Sequence, residues 1–169
     1  DEYQMGLSSR KAIYIPFPQA VPSAYTIDMD SCLGNNPIAC GKCMDVCEKK
    51  CIDFDMRDTE VEVEAGAIVV ATGMDTFDPT GLDEYGYGKL PDVLTSMEFE
   101  RMLSVDGPTG GHLLKPSDGE EPKSVAFIQC VGSRSRDGRG KEYCSNICCM
   151  NTVKDTLLLR DHYPDMEVE

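Results

Sequence analysis

No apolar run in this 169-residue chain approaches the roughly 20 residues that a spanning helix needs. The longest candidate, Ala65 to Ala71, has the length of a buried strand. Basic residues are short too: 16 Lys+Arg stand against 30 Asp+Glu, a formal net charge of −14. Such a field repels polyanions, which argues against nucleic acid or an anionic membrane surface as partner. Histidine is scarce. His112 reads as a turn-stabilising residue that could sit near a cofactor, and His162 as a favourable charge at a helix C-terminus. Neither has the nucleophile or base partner that a hydrolase requires. Also missing are a signal peptide and an initiator Met; residue 1 is Asp. The opening residues read as mid-domain sequence, so the chain is expected to be an internal piece of a longer protein.

What remains is ample for a core: 41% of residues are hydrophobic. Cysteine is the outlier, with nine residues, an odd number. A secreted disulfide scaffold is usually shorter and even in cysteine, and the vicinal pair Cys148 and Cys149 bridges poorly. A reducing cytoplasm with metal-bound thiolates is the favoured setting.

Periodicity places the elements. Lys11 to Ile15 and Thr26 to Asp28 read as short strands, separated by a segment that Pro16, Pro18 and Pro22 keep extended. Asn35 to Pro37 marks a turn, and Gly41 to Lys50 one or two helical turns. Cys51 to Asp55 and Thr59 to Glu64 alternate as strands do, and Ala65 to Ala71 follows as a fully buried one. Ser96 to Leu103 reads as a helix capped at Thr95 or Ser96, with Met97 and Met102 as core filler. Ser124 to Gln129 is a buried strand, Ser145 to about Tyr163 a helix stopped by Pro164, and Met166 onward another strand.

The cysteines fall into two groups. The first is Cys32, Cys40, Cys43 and Cys47, with Cys51 behind it as a core thiol. Its core spacing is C-x2-C-x3-C. A [4Fe–4S] cube needs thiolates converging from several directions, and a tight loop of this kind supplies them. Gly41 lets the backbone turn sharply there. Zinc is the rival, although zinc knuckles are usually separated by longer spacers. The second group is Cys130, Cys144, Cys148 and Cys149. Neighbouring helical residues point about 100° apart. Cys148 and Cys149 can therefore meet one metal group only at a helix start, with Cys144 arriving from the loop and Cys130 from the strand end. The bland alternative is a set of buried thiols.

Ala71, Thr72 and Gly73 end the apolar strand in a pattern that resembles the one two-dinucleotide-binding-domain flavoproteins carry where the chain passes the FAD, although many buried strands end in Thr-Gly. Ser124 to Gln129 plus a long helix looks like the start of a dinucleotide-binding unit, yet the expected G-x-G-x-x-G is absent. Cysteines stand in its place. Arg134, Arg136, Arg139 and Lys141 occupy the loop beside them, either solvated or offsetting cluster or flavin charge.

Several stretches carry a resemblance: Ala12 to Pro22 (AIYIPFPQAVP), Gly66 to Gly73 (GAIVVATG), Glu84 to Gly88 (EYGYG), Gly107 to His112 (GPTGGH), Phe127 to Arg134 (FIQCVGSR) and Tyr143 to Met150 (YCSNICCM). Through them the whole chain resembles the iron–sulfur flavoprotein A subunits of heterodisulfide reductases from methanogenic and related archaea and bacteria. The resemblance implies an α/β fold, part of a thioredoxin-reductase-like FAD and dinucleotide-binding flavoprotein with a small inserted ferredoxin-like [4Fe–4S] domain. Residues 1–21 would lead to the insertion, 22–63 form it, 64–123 return to the FAD domain, and 124–169 begin a second dinucleotide-binding-like domain. One cluster would sit on Cys32, Cys40, Cys43 and Cys47, an unusual second one on Cys130, Cys144, Cys148 and Cys149. FAD would touch Ala71, Thr72 and Gly73. The implied activity is flavin-based electron bifurcation in the cytoplasm. Electrons would come from a small electron-transfer subunit of a hydrogenase or formate dehydrogenase. They would pass to ferredoxin and to the CoM-S-S-CoB disulfide on a partner subunit. The B and C subunits and a dimer of the full subunit complete the implied partners. Alternatives are a related flavoprotein of sulfur or sulfate metabolism, or a zinc-stabilised module without redox function.

Overall fold

A computed structural model describes residues 4–34 and 40–169. The turn expected at Asn35 to Pro37 lies outside these residues. The chain divides into two compact units. One runs from Arg10 to Met74; the other comprises Asp75–Glu169 together with the stretch ending at Ser9.

The unit from Arg10 to Met74 opens with β1 (Ile13–Tyr14), antiparallel to β2 (Thr26–Ile27), with Ile13 opposite Ile27 and Tyr14 opposite Thr26. The prolines between them have no N–H to give a ladder, so this segment turns back through loops. Arg10 stacks 3.7 Å over the Tyr14 ring and pairs with Asp28 at 3.4 Å. Asp28 also accepts from the Asp30 and Ser31 amides and the Ser31 hydroxyl. That turn delivers the chain to Cys32. The one helix described in this unit is α1 (Lys42–Val46), entered through Gly41 at φ 66°.

Three strand expectations fail here. Residues 51–55, 59–64 and 65–71 form no regular strand. Val61, Val63, Ile68, Val69 and Val70 are all exposed, Val69 at 87%. Alternation and β-branching suit a pleated surface, but a strand needs a neighbour for its amides and a layer for its side chains. No such neighbour exists among the described residues.

In the other unit, α2 (Ser96–Leu103) and α3 (Cys148–His162) contribute to a core of Phe99, Met102, Leu113 and Leu159. Phe99 and Phe127 meet edge to face at 5.5 Å. Thr95 caps α2, accepting from the Glu98 amide at 3.3 Å, and Glu98 accepts from the Thr95 amide at 2.6 Å. Met102 is buried as expected, but Met97 is 44% exposed and fills no core. β3 (Ser124–Val125) runs parallel to β4 (Glu167–Val168), so α3 forms part of a β-α-β crossover. The Phe127 amide extends the ladder to Glu169 O at 2.9 Å. The strand expected at 124–129 is thus shorter, and not buried, since Ile128 is 60% exposed. It has one neighbour, where a buried parallel strand needs both edges and both faces covered. No helix among the described residues is long and apolar enough to cross a membrane.

Candidate metal centres

The first centre is built on one short turn of backbone. Gly41 occupies the left-handed region, and its carbonyl accepts from Met44 at 2.9 Å, so Cys40 and Cys43 flank a tight bend. Cys47 ends α1. A Cβ placed on Gly34 would lie 3.7 Å from Cys32 Sγ and 3.8 Å from Cys40 Cβ. Gly34 thus sits against both cysteines, and Cys32 comes beside Cys40 despite the long gap in sequence. The Cys51 thiol lies 3.7 Å from Cys47 Sγ, and the Lys50 amide donates to Cys47 O at 3.0 Å. The Cys51 amide and thiol do most to hold Cys47 below the ordinary thiol range. Cys51 is itself exposed, 3.7 Å from Cys47 Sγ, and is not the core thiol expected. The physical reason is the turn after Cys47, which points residue 51 back at the sulfur instead of into an apolar layer.

The second centre is assembled by the loop that follows β3 and the start of α3. Cys130 takes φ 61°, an uncommon conformation for a side-chain-bearing residue. From there the chain folds on itself. Lys141 N donates to Gly132 O at 2.9 Å, Ser135 N to Lys141 O at 3.0 Å, and Arg134 N to Tyr143 O at 3.1 Å. These bonds return Cys144 to the neighbourhood of Cys130 across 13 intervening residues. Asn146, at φ 61°, donates its amide to Cys144 Sγ at 3.4 Å. Cys148 is the first residue of α3, and Ile147 before it supplies no side-chain cap. First-turn amides are therefore left to other acceptors. The Ser145 hydroxyl and then the Cys130 amide hold Cys148 below the ordinary thiol range. Cys149 is pushed up, first by the charge of Cys148 and further by Cys130 and Cys144. Gln129 Nε2 donates to Thr152 Oγ1 at 2.5 Å, tying the strand end to α3.

The donor chemistry suits a multi-iron group: eight soft sulfurs, in two groups of four along the sequence, with the Asn146 amide turned onto one of them. Among the described residues no three His, Cys, Asp or Glu side chains converge on a position for a single metal ion. Ala71, Thr72 and Gly73 lie in exposed, non-regular backbone, in a different unit from the second centre. Gly73 has φ 78° and open space where a Cβ would project, which suits close approach of a flat cofactor. Arg139 is engaged by Glu84 at 2.8 Å and Asp137 at 2.7 Å. His112 and His162 line one open cleft with Lys123 and Tyr163. Sequence reasoning missed Gly34, the Cys47–Cys51 contact and the Gln129–Thr152 tie. Gly34, two residues after Cys32, was the one local signal.

Comparison with known proteins gives a consistent picture. No family model matches the chain. It is 51% identical over 98% of its length to the A subunit of the H(2):CoB-CoM heterodisulfide,ferredoxin reductase of Methanothermobacter marburgensis, covering 24% of that protein. It is 49% identical over 99% of its length to the iron-sulfur A subunit of the CoB--CoM heterodisulfide reductase of Methanocaldococcus jannaschii, covering 25%. Against the A subunit of the H(2)/formate:CoB-CoM heterodisulfide,ferredoxin reductase of Methanococcus maripaludis it is 47% identical over 99%, again covering 25%. The chain spans about a quarter of the length of these relatives.

Proposed function

Since the chain is homologous over its length to a segment of the heterodisulfide reductase A subunits, we propose that it is the cluster-bearing electron-transfer segment of such an oxidoreductase subunit. The observation that carries this reading is the second centre. Backbone hydrogen bonds between residues 132–135 and residues 141–143 fold the loop back from Cys130 to Cys144, and the Ser145 hydroxyl donates to Cys148 Sγ at 3.5 Å where α3 begins. Nothing in α3 or its loop needs four thiols for packing.

In this reading Cys32, Cys40, Cys43 and Cys47 hold one [4Fe–4S] cluster, and Cys130, Cys144, Cys148 and Cys149 hold another. Ala71, Thr72 and Gly73 form one edge of an FAD site. When bound, iron–sulfur clusters pass single electrons and a flavin holds a pair. This chain's own residues set the terms of that transfer. Gly34 leaves room for the chain to pass against Cys32 and Cys40, and Gly41 supplies the sharp turn between Cys40 and Cys43. The Asn146 amide places its positive dipole end against the Cys144 sulfur. Net charge works the other way: −14 overall lowers the potential of any group that gains an electron.

The whole subunit's role is then flavin-based bifurcation. An electron pair from a hydrogenase or formate dehydrogenase partner is split, one electron going to ferredoxin. The other goes towards the CoM-S-S-CoB disulfide on another subunit. The names of the relatives, which couple H2 or formate to heterodisulfide and ferredoxin, support this assignment. We place the assembly in the cytoplasm; its partners are the B and C subunits and a second copy of the full-length protein. The boundaries are those implied by the resemblance, with 22–63 as the inserted module. That Arg10–Met74 forms a compact unit of its own supports a separable first-cluster module.

The test is anaerobic iron and acid-labile sulfide analysis of the chain, with EPR of the dithionite-reduced protein. About eight iron and eight sulfide per chain are expected, four for each cube. Zinc without sulfide would overturn the electron-transfer reading.

A further inference from the structure

Cys51 is the cysteine that the two cluster assignments leave over, and the structure gives it a specific neighbour. Its Sγ lies 3.7 Å from Cys47 Sγ, within hydrogen-bond distance for sulfur. It is exposed, so core packing does not account for it. The contact follows from the backbone. Lys50 takes φ 49°, and its amide donates to Cys47 O at 3.0 Å. This turn folds residue 51 back onto the Cys47 sulfur.

Either thiol can donate while both are protonated. A cysteine that ligates iron is a thiolate and has no proton to give. Once Cys47 is a ligand, the proton in this contact belongs to Cys51. Nor does Cys51 fit as a further ligand beside Cys47. Thiolates around a cube arrive from different directions, and these two sulfurs share one.

We propose that Cys51 is a positioning residue that raises the reduction potential of the first cluster by donating its S–H to the ligating sulfur of Cys47. The inference rests on the assignment of Cys47 as a cluster ligand. Reduction adds negative charge that the thiolates share, and a donor aimed at a thiolate stabilises the more negative state. In a chain of net charge −14, such local donors oppose the general downward push on potential.

The experiment is an EPR-monitored redox titration of the intact protein, comparing wild type, Cys51→Ala and Cys51→Ser, with iron and sulfide analysis of each. All three are expected to carry the same iron. In Cys51→Ala the reduced-to-oxidised ratio of the first cluster, at fixed potential, should fall by up to about tenfold, or ~59 mV for a one-electron couple. Cys51→Ser keeps a donor and should stay near wild type, and the second cluster should not move in either variant. An unchanged midpoint in Cys51→Ala overturns the proposal. So does loss of four iron in that variant, which would make Cys51 a ligand. Cys43→Ala separates the two levels. If it loses no iron, the first-cluster assignment falls and the tuning role falls with it. If it loses iron while Cys51→Ala leaves the midpoint in place, only the tuning role falls.

Discussion

At the scale of single residues, burial and backbone conformation decide more than residue type. Asp155 is fully buried on α3. Asn151 donates to its Oδ2 at 3.0 Å, and Lys154 Nζ, which also pairs with Glu100, stands 3.1 Å from Oδ1. Burial raises the Asp155 carboxyl above its ordinary 3.8; Lys154 opposes that shift and Glu100 adds to it. The folded chain therefore binds this proton more tightly than the unfolded chain. The resulting stability is fully present below 3.8 and is lost as pH rises through the folded value. Urea titrations should show wild type losing stability relative to Asp155→Asn as pH rises above 3.8. A pH-independent difference would contradict this account. Gly132 is constrained differently. It has φ 74°, and a Cβ there would overlap the Phe77 ring. Gly132→Ala should cost about 1–3 kcal/mol in urea unfolding, and Phe77→Ala in the same chain should recover part of it.

At the scale of elements, the two longer helices begin in opposite ways. α2 is closed by a reciprocal Thr95–Glu98 capping box. Thr95→Ala should destabilise the chain by about 0.5–2 kcal/mol, while Thr95→Ser should hold most of it. Denaturant midpoints with an unchanged slope would measure the difference. α3 begins at Cys148 without any side-chain cap. Its start falls three residues later than the helical pattern from Ser145 implies. Asn146 at φ 61° explains the delay, because a left-handed residue cannot continue a right-handed helix. The same residue turns its amide onto Cys144.

At the scale of the whole molecule, the apolar stretch around Val69 sets the behaviour. Val61, Val63, Ile68, Val69 and Val70 are each at least three-quarters exposed. Long exposed β-branched runs template pairing with other chains. The 169-residue chain by itself should self-associate with rising concentration in sedimentation velocity. Val63→Lys with Val69→Lys should suppress that association. If the chain stays monomeric without these substitutions, the segment is not sticky.

Short-range features were open to sequence reasoning. The helix at 96–103, its cap at Thr95, the β1 and β2 pieces and the strand opening at Met166 follow from local periodicity and from turn and cap chemistry, which need no distant partner. The division of the cysteines into two groups could likewise be read from spacing and from family resemblance. Tertiary structure alone decided the rest. Whether Val61 to Val70 becomes a strand depends on a neighbouring edge, which an alternating pattern can invite but not supply. Whether Cys51 is core or faces Cys47 depends on the φ of Lys50. Whether Cys130 and Cys144 meet depends on Gly132, Ser135 and Arg134 finding backbone partners at residues 141–143. The chain therefore carries its soft-donor chemistry locally, in thiols and the glycines beside them. How near those thiols come to one another belongs to the three-dimensional fold, because the loop from Cys130 back to Cys144 is closed by backbone hydrogen bonds between residues apart in sequence.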